Sequence, residues 1–321
     1  MEECAFFSRI VNALSGLSAE MRRELGTRIE TMDAAESTRM IIEIFGVGAK
    51  NCPHCGVSER HRHGTSCGLR RYRCLGCART DNALSGTPLA RLKHRNVRIK
   101  YTFALITQMT VRDAAVYCNI AKNTALHWRH RFTEGLARSI PDGLSGIIEA
   151  DETFFRENQK GARILNRPAL KRGTPAVRAG EKRRLSAVLI ARDRSRATIV
   201  QHLETYSEEA IHKVMKTIVA PDALLCTDGF GYYTTLARKR GVTHVQLIAN
   251  RQERVRDGAF HIQNVNAFTS NLKTWMRKFR GVATKHLQKY LQWRCFVDAH
   301  PGVEMAEKLL QTVLTPRPTA I

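Results

Sequence analysis

The chain reads as an α/β core preceded by a cysteine-bound module and a helical module. Two Cys-x-x-Cys pairs fall within residues 51–82, an aliphatic and basic stretch with helical spacing runs on to about residue 140, and apolar runs of strand type follow. The expected modules are a helical segment over 1–50, a ribbon over 51–82, a helix-turn-helix-like unit over 83–140, an α/β domain over 141–298 and a tail over 299–321.

Charge narrows the class of partner. The formal net charge is +23 over 321 residues, from 52 Lys+Arg against 29 Asp+Glu, and the excess recurs along most of the chain. A polyanion is the expected partner, nucleic acid ahead of a membrane surface, because neutralising phosphates releases counterions and yields affinity without base reading. No apolar run approaches the ~18 residues of a spanning helix, and Met1-Glu-Glu-Cys-Ala lacks the basic flank of a signal peptide. A soluble, cytoplasmic protein in a reducing compartment is expected, and 43% hydrophobic residues suffice for a sizeable core.

Cys52-Pro-His-Cys55 and Cys74-Leu-Gly-Cys77 each place two thiolates in a tight turn, and the 18 residues between the pairs suit a four-cysteine zinc ribbon. Four thiolates close a tetrahedral site and leave no open position for water, so this zinc is structural. Cys67 has no neighbouring partner. The adjacent His54, His61 and His63 and the arginines from Arg60 to Arg73 suit phosphate or solvent.

In the helical stretch Thr110 is placed to cap one helix, with Ala114, Ala115 and Tyr117 facing inward. Asn119 to Lys122 read as the turn, and a second helix starts at Asn123 or Thr124. Leu126, Trp128 and Phe132 are expected inside, leaving Asn123, His127, Arg129, His130 and Arg131 for DNA, as on a recognition helix. An amphipathic bundle helix with a solvated basic face is the alternative.

The α/β region begins with a strand ending at Asp151, then strands near 185–192 and 197–203, a helix over 207–218, a strand ending at Asp228, a helix over 232–239 and a strand at 244–248. That order is the order of a ribonuclease-H-like fold, with one acid on the first strand and one on the fourth. Asp151 and Asp228 each close an apolar run, and Asn266 in His261-Ile-Gln-Asn-Val-Asn266 is expected on a helix. Two carboxylates and a neutral amide oxygen are hard donors of the kind Mg²⁺ prefers, and paired ions serve in-line displacement at phosphorus. Asn264, Glu253 and Asp257 are the rival third ligands. A basic insertion over 156–184, with Lys160, Lys171 and Arg172, is either a DNA clamp beside the metal or a solvated loop. His261 and Lys273, twelve residues apart, are assigned to the DNA backbone, Lys273 standing equally as an ordinary surface lysine.

With these motifs in place, Leu84-Ser-Gly-Thr-Pro-Leu, Glu149-Ala-Asp151-Glu-Thr-Phe-Phe, Cys226-Thr-Asp228-Gly, and Phe260-His-Ile-Gln-Asn-Val-Asn266 with Leu272-Lys273 added to the cysteine pairs, the chain resembles bacterial insertion-sequence transposases of the insertion-sequence 1595 (ISXO-like) family. The resemblance covers nearly the whole length. It implies a ribonuclease-H-like core with an Asp-Asp-Glu or Asp-Asp-Asn triad, here Asp151, Asp228 and Asn266. It further implies Mg²⁺ or Mn²⁺, double-stranded DNA as transposon ends and target, and a homo-oligomer on that DNA. A DNA-binding relic or repressor that has lost catalysis is the competing expectation.

Overall fold

A computed structural model describes residues 18, 20–21, 34–46, 51–165, 185–228, 231–248, 255–302 and 304–316. Lys171, Arg172, most of the basic insertion and Glu253 lie outside the described residues. The chain divides into two compact units, one formed by residues 1–136 and 300–321 and the other by residues 137–299.

The first unit carries a three-stranded antiparallel sheet in the order β1-β2-β3, from Arg60–Ser66 (β1), Leu69–Cys74 (β2) and Thr80–Asn82 (β3). Cys67 and Gly68, at φ 57° and 78°, make the two-residue turn between β1 and β2, where two positive φ values match the twist of the flanking strands. Cys67 is thus a turn residue. Ala34–Gly46 forms α1, Arg98–Ile106 α2, Val111–Tyr117 α3 and Lys122–Gly135 α4. Thr110 caps α3 as expected, its side chain accepting from the Asp113 amide. The α3–α4 turn runs through Asn119, at φ 50°, and α4 begins at Lys122, slightly earlier than the sequence suggests.

Residues 299–321, expected as a tail, contain the helix α9 (Glu304–Leu314), which packs on α1, α2 and α4. Met305, Leu309 and Val313 recur every four residues and are buried, so the segment has an apolar stripe to cover and docks by it.

The second unit is a five-stranded mixed sheet in the order β6-β5-β4-β7-β8. Its strands are Ile147–Arg156 (β4), Leu185–Asp193 (β5), Thr198–Leu203 (β6), Leu224–Asp228 (β7) and Thr243–Leu247 (β8). β4, β5 and β6 pair antiparallel, while β7 and β8 add in parallel on the other side of β4. Glu208–Ile218 (α5) and Gly231–Arg240 (α6) bury Ile211, Met215, Tyr233 and Leu236 against Ile148, Ala150, Leu189 and Leu225 on one face. On the opposite face Gln263–Arg277 (α7) packs against β4 and β5, and Leu287–Ala299 (α8) against β6. The expected order of strands and helices is present.

One boundary differs from expectation. β4 does not stop at Asp151 but pairs with β5 through Phe154, Phe155 and Arg156. Aspartate is a poor strand former, which made it read as an end; the aromatic residues beyond it and the complementary run in β5 carry the strand on.

Candidate functional site

The centre of the second unit follows from strand register. In the parallel pairing of β4 with β7, Ile147 lies opposite Leu224 and Ala150 opposite Thr227, so the next step brings Asp151 abreast of Asp228. Side chains alternate faces along a strand. Ala150 points into the α5–α6 core, and Asp151 therefore points toward the face that α7 covers. Neighbouring strands are about 4.8 Å apart, so two carboxylates so placed repel one another. Burial pushes the Asp151 carboxyl up to about 6, and the Asp228 charge adds to the rise; the Glu152 amide and the Lys273 charge oppose it.

Glu152, next along β4, points the other way. Tyr233 on α6 donates to its Oε1 and Tyr206 to its Oε2, the latter at 3.5 Å. Burial first, then Asp151 and Asp228, raise Glu152 to about 7.

Two residues before Asp151, and on the same face of β4, lies a carboxylate to which the sequence assigned no role. Glu149 is 1% exposed and accepts from Arg194 Nη1 at 2.6 Å, Asn264 Nδ2 at 2.8 Å and the Val265 amide at 2.9 Å, with His261 Nδ1 3.4 Å away. Arg194 also donates to the Ala259 carbonyl. Glu149 thus takes up one backbone amide in the first turn of α7, that of Val265, where a negative charge also suits the helix dipole. It ties the start of that helix to the strand that carries Asp151. Asn264 is engaged there. His261, assigned from the sequence to the DNA backbone, is instead half-buried against Glu149 and Arg194.

Along α7, Val265, Phe268, Leu272 and Trp275 are buried, while Asn266 and Lys273 are exposed. The last two are seven residues apart, close to two turns, and share one flank of the helix. The Lys273 charge acts on Asp151 and opposes the rise of its pKa. Asp257, one of the rival third ligands, has a positive φ of 51° in the turn before the helix.

In the first unit the four cysteine Sγ atoms lie within 4.8 Å of one another, with Cys52–Cys77 at 3.7 Å and Cys55–Cys74 at 3.5 Å. A tetrahedron with Zn–S bonds of ~2.3 Å has edges of about 3.8 Å, so the cage has the size of a zinc ion. Both pairs sit on matching turns, in which Gly56 donates to the Cys52 carbonyl and Ala78 to the Cys74 carbonyl. The Cys77 amide beside Cys74 lowers that thiol to about 7, while burial pushes the Cys52 thiol up.

Two expected DNA contacts on α4 do not survive. Arg129 is fully buried and donates to the Met109 carbonyl, and Arg131 donates to the Pro88 and Ala90 carbonyls. Ala125, Arg129 and Phe132 stand at helical spacing on the inner face, a period that was readable and was outweighed by the local charge. Leu126, expected inside, is 39% exposed. Asn123 and His127 are exposed on α4, as is Lys160 after β4.

The fold and site together define an α/β domain in which two aspartates meet at adjacent positions of neighbouring parallel strands. Residues 143–296 match the ISXO2-like transposase domain. The chain thus carries an ISXO2-like transposase domain over these residues. No curated protein matches.

Among solved structures, the chain is similar at 11% identity to one in the simian T-cell lymphotropic virus intasome bound to the PP2A regulatory subunit B56 gamma. That likeness covers 61% of this chain and 67% of that one, with a TM-score of 0.30. The pre-cleavage Mos1 transpososome is similar at 12% identity over 92% and 97% of the two chains, TM-score 0.24. The Mos1 mariner paired-end complex with Mn is similar at 12% identity over 94% and 98%, TM-score 0.22.

The paired aspartates carry a measurable cost. Asp151 titrates higher in the folded protein, about 6, than the usual 3.8, so folding favours its protonated form. The resulting penalty is absent at low pH, grows as pH rises from about 4 to 6, and is complete above that. Without added divalent cation, Asp151→Asn is expected to stabilise the protein by about 3 kcal/mol at pH 7.5, with roughly half the gain left at pH 5. Urea unfolding at the two pH values reads the difference, and an equal gain at both would show that charge at Asp151 is not its source.

Proposed function

We propose that the protein is a DNA transposase that cuts at transposon ends and joins the freed strands to target DNA, by in-line attack on phosphodiesters. Asp151, Asp228 and Asn266 would hold Mg²⁺ or Mn²⁺. The observation that carries this reading is the register placing Asp151 abreast of Asp228. Two partly buried carboxylates with one pushed up by burial and by the other's charge make a site that a divalent cation relieves, and their oxygens are donors that Mg²⁺ accepts.

When bound, such ions offset charge on the phosphate and ease deprotonation of the attacking oxygen. The chain's own part is to place the donors. β4 and β7 fix the two aspartates, and Glu149 anchors the helix bearing Asn266 and Lys273. Asn264 is occupied by Glu149, which favours Asn266 as the third donor. An asparagine there leaves the site with two negative charges where a glutamate would give three. Lys273 supplies a cation beside Asp151, suited to a substrate phosphate.

The sheet, with three antiparallel strands extended in parallel by two more, supports a ribonuclease-H-like reading. Asn123 and His127 on α4, Lys160 and Lys273 are the proposed DNA contacts among the described residues, with Lys171 and Arg172 proposed from the sequence. Cys52, Cys55, Cys74 and Cys77 would hold a structural zinc. Pairing two transposon ends implies a homo-oligomer on DNA.

The test is metal-dependent cleavage of a supercoiled plasmid carrying the element's own ends. Asp228→Ala is expected to lower cleavage by about 10³-fold, since losing a ligand removes several kcal/mol of charge stabilisation; DNA binding should persist. Asn266→Ala should lose activity as well. Undiminished cutting by Asp228→Ala would overturn the assignment. End binding with no cutting under either metal would favour the non-catalytic DNA-binding reading.

A further inference from the structure

A cavity of about 970 Å³ in the first unit lies between α1, the cysteine-bearing sheet and the segment from residue 80 to α2. Arg39, Arg91, Lys93, His94, Arg95 and Arg98 are among its lining residues, and among the described residues no carboxylate lines it. Arg91, Lys93 and Arg95 are exposed, whereas Arg98 is 5% exposed.

Arg98 is the informative residue. Its Nη2 donates to the Leu92 carbonyl, but its Nε is buried without a hydrogen-bond partner. Burial lowers its affinity for the proton, and the charge of Arg95 lowers it further. A buried guanidinium whose charged neighbour is another cation carries an uncompensated cost that an anion relieves. The segment leading to it is also strained. Arg91 and His94 have φ values of 58° and 50°, a conformation that costs a non-glycine residue free energy and persists where the surrounding structure enforces it. Thr38 on α1 braces the same segment through the Asn96 carbonyl.

We infer that this groove is a binding site for the sugar-phosphate backbone of duplex DNA, distinct from α4 and from the paired aspartates. Its cations are spread over α1 and the 91–98 segment, more than one phosphate group requires, and the described lining holds no carboxylate to repel a polyanion. Phosphate contacts of this kind set position and orientation without reading sequence. The inference rests on the transposase reading for the identity of the polyanion.

The experiment is fluorescence anisotropy of the full chain with a labelled duplex of arbitrary sequence, across a range of salt concentrations. The triple variant Arg91→Gln, Lys93→Gln and Arg95→Gln removes exposed charges and leaves Arg98 in place. A control, Lys213→Gln, Lys216→Gln and Arg238→Gln, removes three exposed charges from the other unit. Each lost phosphate contact should reduce the slope of log K against log[salt] by about 0.9, so the groove variant should lose roughly 2–3 in slope and bind about tenfold or more weakly at moderate salt. The control should keep the parent slope to within about one contact.

Equal slopes for the groove variant and the parent would overturn the assignment, as would equal losses in the two triple variants. A groove variant that loses its cooperative thermal transition is replaced by the three single substitutions, whose summed slope loss is read in the same way. A parent that does not bind duplex DNA at all would refute the transposase reading, whereas a binding parent with an unchanged groove variant refutes this site alone.

Discussion

Removing metal from the four-cysteine site is expected to unfold the β1–β3 ribbon while leaving the second unit folded. β1, β2 and β3 offer little to bury. Among the described residues of the ribbon, Cys52, Leu69 and Cys74 are the buried apolar side chains, and two of these are the proposed ligands. A module with so small a core does not stand without a staple. Structural zinc in comparable small sites contributes about 10–16 kcal/mol of apparent binding free energy, far above what such a core provides. Chelation should therefore abolish ribbon structure cooperatively and release one zinc per chain, measurable with a colorimetric chelator. Cys74→Ser should purify without zinc. Metal-free protein whose ribbon amides stay protected from hydrogen exchange would refute a structural metal there.

The second large effect is expected at Glu149. Replacing it with alanine leaves Arg194, 28% exposed, with the Ala259 carbonyl and the His261 ring but no carboxylate, and strips the first turn of α7 of its anchor. Breaking a buried ion pair from one side costs about 3–5 kcal/mol, a large share of the ~5–15 kcal/mol that holds a typical domain. Glu149→Gln keeps an acceptor oxygen for the Val265 amide and should cost less than the alanine change. Urea unfolding measures the stability. Plasmid cleavage measures the second consequence, because a helix released at its start would no longer hold Asn266 and Lys273 where the proposed function needs them. A Glu149→Ala protein of parental stability and activity would show that the network around this carboxylate is incidental.

The two residues at the centre of the site were legible for a simple reason. Asp151 and Asp228 interrupt apolar runs that can only be strands, and in a parallel pair such interruptions meet. The cysteine cage was legible because its geometry is local, two residues to a turn. Glu149 was not, although it sits in the same motif as Asp151. A carboxylate inside an apolar run acquires meaning only from Arg194, Asn264 and Val265, tens of residues away, and no periodicity announces such partners. The contacts of His261 with Glu149 and Arg194 were hidden for the same reason. Arg129 shows the opposite failure, in which the helical period placed it inward and the surrounding positive charge suggested otherwise. The groove at Arg98 depended on backbone turns at Arg91 and His94 that carry no glycine to mark them.

The two units are not beads on a string. The first is built from residues before 137 and from α9, so along the sequence the entire five-stranded sheet is encoded between two segments of the first unit. A ribosome must deliver the whole sheet before it can supply the helix that covers α1, α2 and α4. During synthesis the first unit therefore waits, incomplete, for the other to emerge, and a translation product that stops short of Glu304 leaves an apolar face of the first unit bare, open to chaperones and proteases.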